Sequence, residues 1–136
     1  MRIVHIVDQF DYCDGCARHV FFLARAQKQS GHDVTIVAGR GDAFDLLRSE
    51  KIPFREISFI HHSTRSVAGF VRGVWMIRGL LATLKPDIVH CHHFYAANQV
   101  RVIPHRWPLV LTLHANLPKS GLLPKCVGNL LIAVSK

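Results

Sequence analysis

The sequence predicts an α/β domain: a doubly wound, mostly parallel, Rossmann-like sheet with helices on both faces. Three observations lead there. Short β-rich runs alternate with helical patterns along all 136 residues, as strands joined by crossover helices do. The apolar fraction of 49% is that of a globular chain, with core enough for one domain and not comfortably for two. Right-handed crossovers applied to this element order give the strand order 3-2-1-4-5-6.

Ile3 to Val7 opens the chain as a strand, and the polar turn Asp8 to Gly15 leads into a helix whose apolar positions Ala17, Val20, Phe21 and Ala24 follow helical spacing. Gly31 supplies the left-handed cap. Val34 to Ala38 is the second strand, closed by Gly39 and Gly41. A short helix around Ala43 to Glu50 precedes Pro53 and a brief strand, Phe54 to Ile57. Ser63, Thr64 and Ser66 offer N-caps for the longest helix, Val67 to Leu84. Its predicted buried stripe is Val67, Phe70, Val71, Val74, Leu81 and Leu84, with Arg78 at the edge. Pro86 ends it. Asp87 to Cys91 is a strand, Tyr95 to Ile103 a helical stretch, Leu109 to Leu113 a strand after Pro108, and Leu130 to Val134 the last strand.

Composition narrows the functional classes. Seventeen Lys and Arg stand against nine Asp and Glu, a balance that favours an anionic partner. The basic residues are spread along the chain without a dense block or a nucleic-acid-binding motif, so nucleic acid is not the expected partner. The apolar stretch Val67 to Leu84 is broken by Arg72 and Arg78 and is not expected to span a bilayer. With no secretory signal pattern and four cysteines suited to a reducing compartment, the expectation is a cytoplasmic protein.

In a doubly wound sheet the ligand sits beyond the carboxyl ends of the strands where the order reverses. That places the Asp8 to Arg18 turn, the His90 to Phe94 turn and His114 at the site. The helix start at Gly15 and Cys16 is a ready anion site, because its N–H groups are free and glycine admits a phosphate to the backbone. A dinucleotide fold would need further glycines here and an acidic residue ending the second strand, where this chain has Ala38-Gly39-Arg40. No cofactor is implied.

Gly15 with Arg18-His19-Val20, then Gly31-His32-Asp33-Val34-Thr35-Ile36-Val37, resembles the opening motifs of glycosyltransferase family 4. Lys85-Pro86-Asp87-Ile88-Val89-His90-Cys91-His92 is similar to that family's "kPDIVHaH", Leu111-Thr112-Leu113-His114 to its "vxTxHg", and Ile132-Ala133-Val134-Ser135-Lys136 to its "viavS". Each motif is weak alone; the ordered set is specific. The resemblance implies a GT-B architecture, with residues 1–136 as its N-terminal, acceptor-side domain and a separate C-terminal domain gripping the nucleotide-sugar. It implies retaining transfer, without a bound metal, to a glycan, lipid-linked or cell-envelope acceptor. It also implies no activity from these residues alone, while the basic balance fits peripheral association with the anionic inner membrane surface. Gly15 and Cys16 would then meet the donor diphosphate, and His114 would lie beside the transferred sugar as the catalytic residue.

The family's first glycine is Asp14 here. A carboxylate repels a diphosphate, so Asp14 is either an N-cap facing away or a departure that weakens donor binding. His92 and His93, at a strand's carboxyl end, are expected to contact acceptor or sugar. His62 and Arg65, in the loop before the long helix, are acceptor candidates against the alternative of a solvated loop. His5 and His90, within strands, are expected to be packed. A rival reading takes Cys13-x-x-Cys16 with His90 to His93 as a metal- or thiol-dependent binding module.

Overall fold

A computed structural model describes residues 1–60, 66–114 and 129–133. The candidates His62 and Arg65 lie outside the described residues. In chain order the elements are β1 (Arg2–Val7), α1 (Gly15–Gln29), β2 (Asp33–Ala38), α2 (Phe44–Ser49), β3 (Phe54–Glu56), a 3₁₀ turn (Ser58–Ile60), α3 (Val67–Leu84), β4 (Ile88–Cys91), α4 (Phe94–Arg101), β5 (Leu109–Leu113) and β6 (Leu130–Ala133). The six strands form one sheet in the order β3-β2-β1-β4-β5-β6, and every pairing is parallel. The predicted topology is the observed one.

Alternation along the strands builds two cores. Val4, Ile6, Val89, Cys91, Leu109 and Leu111 face one side, under α3 and α4. Ile3, Val7, Val34, Ile36 and Ala38 face the other, under α1 and α2. On that second side Phe10, Phe44 and Phe54 stack with ring centroids 5.8 Å and 4.8 Å apart. Gly41 is fixed by a close approach: a Cβ there would fall 2.0 Å from the Phe10 carbonyl oxygen. Capping follows local chemistry. Ser66 Oγ accepts the Gly69 N–H at 2.9 Å at the start of α3. Lys28 Nζ donates to the Glu50 and Lys51 carbonyls, both at 2.6 Å, where α2 ends and a cation complements the helix dipole.

The buried stripe of α3 differs from the prediction. Gly69, Gly73, Ile77 and Leu81 are buried, whereas Val67 and Val71 are 84% and 57% exposed. Hydropathy ranks valine above glycine, but the glycines turn inward, on a helix that packs against α4 and the 3₁₀ turn. With 18 residues and a mean hydropathy of 1.4, α3 meets the length and composition of a membrane span despite Arg72 and Arg78. In this fold it is a crossover helix lying on the sheet.

Candidate functional site

The order of the sheet reverses between β1 and β4, and the turn after β1 ends at α1. Asp14 stands at the N-cap in extended conformation (φ −87°, ψ 118°), and its carboxylate accepts the Cys16 N–H at 3.0 Å. Asp14 is therefore the cap that the sequence offered as one alternative. The Cys16 N–H, expected to be free, is held by that carboxylate, so a phosphate would have to displace Asp14 to reach it. Gly15 is exposed, and no protein atom lies within 4 Å of the place a Cβ would occupy. Packing does not require glycine there.

The thiol rival loses its basis at the same position. Cys16 is buried, and its thiol is pushed up to about 12, first by burial and then by the charges of Asp14 and Asp8. A redox thiol is activated in the opposite direction. Cys13 is exposed, and Cys91 points into the core under α3 and α4, where burial pushes its thiol up as well. Of the Cys13, Cys16, His90 to His93 constellation, Cys91 faces away from Cys16, His90 and His92, across the sheet.

On the α1 side of β1, β4 and β5 the same alternation sets out a row of histidines. His5 pairs with His90 across β1 and β4, and His90 with Val110 across β4 and β5, so His5, His90, His92, Thr112 and His114 share one face. Gln27 Oε1, from α1, accepts from His5 Nε2 at 2.7 Å. His5 Nδ1 lies 3.1 Å from His92 Nε2, and His92 Nδ1 lies 3.2 Å from His114 Nε2. With Gln27 as the acceptor the protons run one way: His5 Nε2–H donates to Gln27, His92 Nε2–H to His5, and His114 Nε2–H to His92 Nδ1. His90 Nε2 meets Thr112 Oγ1 at 2.7 Å. The exposed ring of His19 sets its edge against His114, 4.9 Å between centroids.

Burial determines how these rings titrate. His5 is lowered to about 4, mainly by desolvation. His90 falls to about 3 through desolvation and then the charges of His5, His19 and His114. His92 is driven well below its ordinary value by desolvation and then by His90, His5, His114 and His19. His114 is half-buried and also lowered, first by desolvation and then by His19 and His93, with Asp14 pulling the other way. At neutral pH His5, His90, His92 and His114 are neutral imidazoles.

His5 and His90 are packed, as their strand positions predict. His92 is not the surface contact expected of it: it is 1% exposed. Its N–H donates to the Ile6 carbonyl at 2.9 Å, so the sheet ladder runs one residue past β4 and carries the ring inward against His5. The Nδ1 edge of the His92 ring faces His114. His93 is the N-cap residue of α4, partly buried. His114 follows β5 and remains partly open. Sequence reasoning missed Gln27, whose helical position gives no sign that it reaches His5, and Thr112, whose alternation with His90 was there to be read.

Residues 13–133 match the sequence profile of glycosyltransferase family 4. The chain belongs to glycosyltransferase family 4. No curated protein matches the chain closely enough to count as a relative. Among solved structures, the family 4 chain is similar to a glycosyltransferase from Rickettsia africae ESF-5 (18% identity, TM-score 0.68), covering 88% of this chain and 31% of that one. It is similar to the lipopolysaccharide outer core galactosyltransferase WaaB in its apo form (15% identity, TM-score 0.65), with 82% and 32% covered. It is also similar to MurG from Acinetobacter baumannii (15% identity, TM-score 0.58), with 83% and 35% covered. The family 4 chain spans about a third of the length of these structures. At such identities the likeness is one of fold.

Proposed function

We propose that this chain is the acceptor-side domain of a retaining glycosyltransferase that moves a hexose from a nucleotide-sugar to a glycan or lipid-linked acceptor of the cell envelope. The observation that carries the reading is His114, a neutral, partly open imidazole at the carboxyl end of β5 beside the reversal of strand order. It is held from behind by His92, His5 and Gln27. A rigid neutral imidazole both donates and accepts hydrogen bonds, so it can grip a sugar hydroxyl while the anomeric carbon gains positive charge. Gly15, with its empty flank at the start of α1, suits the departing diphosphate, whose charge the helix dipole stabilises. The nucleotide itself would be held by a C-terminal domain, which accords with the third of the relatives' length spanned here.

The outer face of α3 supports an acceptor held at a membrane. Trp75 and Met76 are 78% and 42% exposed beside Val67, Val71, Arg72 and Arg78. An apolar strip flanked by arginines, on a chain of net charge +8, complements the anionic cytoplasmic leaflet. We assign the protein to that surface.

The test is His114→Ala in the full-length protein. Removing one such contact costs about 10- to 1000-fold in turnover, with the melting temperature within a few degrees of the parent. Unchanged kcat makes His114 a bystander, and a collapsed melting temperature makes it a packing residue.

A further inference from the structure

We infer that Cys16, His92 and His114 form a binding site for a zinc-class divalent ion, with a fourth coordination position open to solvent. The three residues come from three elements: the first turn of α1, the end of β4 and the end of β5. One ligand atom from each lies within 4.8 Å of the other two. His92 Nδ1 and His114 Nε2 are 3.2 Å apart, close to the ~3.3 Å edge of a tetrahedron with zinc–imidazole bonds of about 2.0 Å. A thiolate and two imidazoles are the donors that borderline-soft ions select over calcium or magnesium. Three protein ligands with one open position is the arrangement of an accessible site rather than a closed structural one.

The surroundings are built to match. A metal-bound histidine holds its orientation by donating its other ring N–H to an acceptor. His92 does so through Nε2–H to His5 Nδ1, and His5 in turn donates to Gln27 Oε1. This leaves the Nδ1 lone pair of His92 aimed at the proposed ion. Asp14, which the diphosphate reading could not accommodate, caps the Cys16 N–H. Its charge and that of Asp8 both act on the Cys16 sulfur. In a chain of net charge +8, two carboxylates at this corner favour a cation. The other histidine triplet, His5, His90 and His92, is the weaker candidate. It is wholly buried, without a thiolate, and His5 and His90 already pair with Gln27 and Thr112.

Binding is a ligand exchange without redox change. Water leaves the ion, the Cys16 S–H proton goes to solvent, and the His114 Nε2–H shifts to Nδ1 so that both imidazoles present lone pairs. The ion and a sugar then compete for His114; that consequence rests on the transfer reading, whereas the binding itself does not.

The experiment titrates the reduced, metal-stripped chain with Co²⁺, read by absorption, and then adds Zn²⁺. One equivalent should produce the ligand-field bands of tetrahedral cobalt and a thiolate charge-transfer band, both removed by zinc. Cys16→Ser should abolish the charge-transfer band and weaken binding by more than about 100-fold, beyond what loss of an outer partner costs. Cys13→Ser should leave both unchanged. If Cys16→Ser does not fold by circular dichroism, His114→Ala, altered at a partly open position, should show the same loss of affinity. Absence of a thiolate band in the parent, its survival in Cys16→Ser, or its loss in Cys13→Ser overturns the site. None of these readouts involves sugar transfer, so failure here leaves the transferase reading standing, and the reverse.

Discussion

His5 lies at the centre of the sheet with its ring fully buried, and its basicity is lowered to about 4. His90 beside it is lowered to about 3. In the unfolded chain both take up protons near 6.5. Between that value and the folded ones the unfolded state binds more protons, so stability is fully present above about pH 6.5 and is lost as the pH falls towards 4. For His5 alone the loss by pH 5 is on the order of 2 kcal/mol. The denaturant midpoint should therefore drop steeply between pH 7 and pH 5, and His5→Gln should flatten that slope. An equally steep profile in the variant would show that other groups carry it. The parity that aligns His5, His90, His92, Thr112 and His114 was legible, since alternate residues of paired strands share a face. What was not legible is where the ladder stops. His92 looks like a turn residue in the sequence, but its N–H still bonds to Ile6, and that one bond turns a surface contact into a buried one.

Among the elements, the start of α1 allows capping and the proposed ligand contact to be tested separately. At Gly15 a Cβ meets nothing within 4 Å, so Gly15→Ala should hold or slightly raise stability, as removing a glycine from a helix does. If a diphosphate approaches there, the same change should raise the KM for donor in the full-length protein. An unchanged KM would separate the loop from the donor. Asp14→Ala should instead cost about 0.5–2 kcal/mol as a lost cap. The start of α1 could be read in advance because capping is local chemistry. The buried face of α3 could not, because it depends on which side of the helix meets a neighbour, and Gly69 and Gly73 carry no hydropathy to announce it. Its exposed side yields its own expectation. Trp75→Glu should weaken cosedimentation with anionic phospholipid vesicles and leave the melting temperature near the parent's. Equal binding by the variant would contradict a membrane contact through α3.

At the scale of the whole molecule the alternation of strands and helices specified the topology. The order β3-β2-β1-β4-β5-β6 follows from connection rules that hold for any such chain. Donor and acceptor identity do not follow from it, because strand order says nothing about which side chains line a site. The account accordingly stands on a division of labour. On the proposed reading, this domain positions the acceptor and the sugar through His114, and a second domain grips the nucleotide. The most direct measurement follows nucleotide-sugar turnover chromatographically, comparing the 136-residue chain with a full-length protein that carries a nucleotide-binding domain after it. The account predicts transfer to acceptor by the longer protein and none by the 136 residues alone. Turnover by the 136-residue chain at a comparable rate would contradict it.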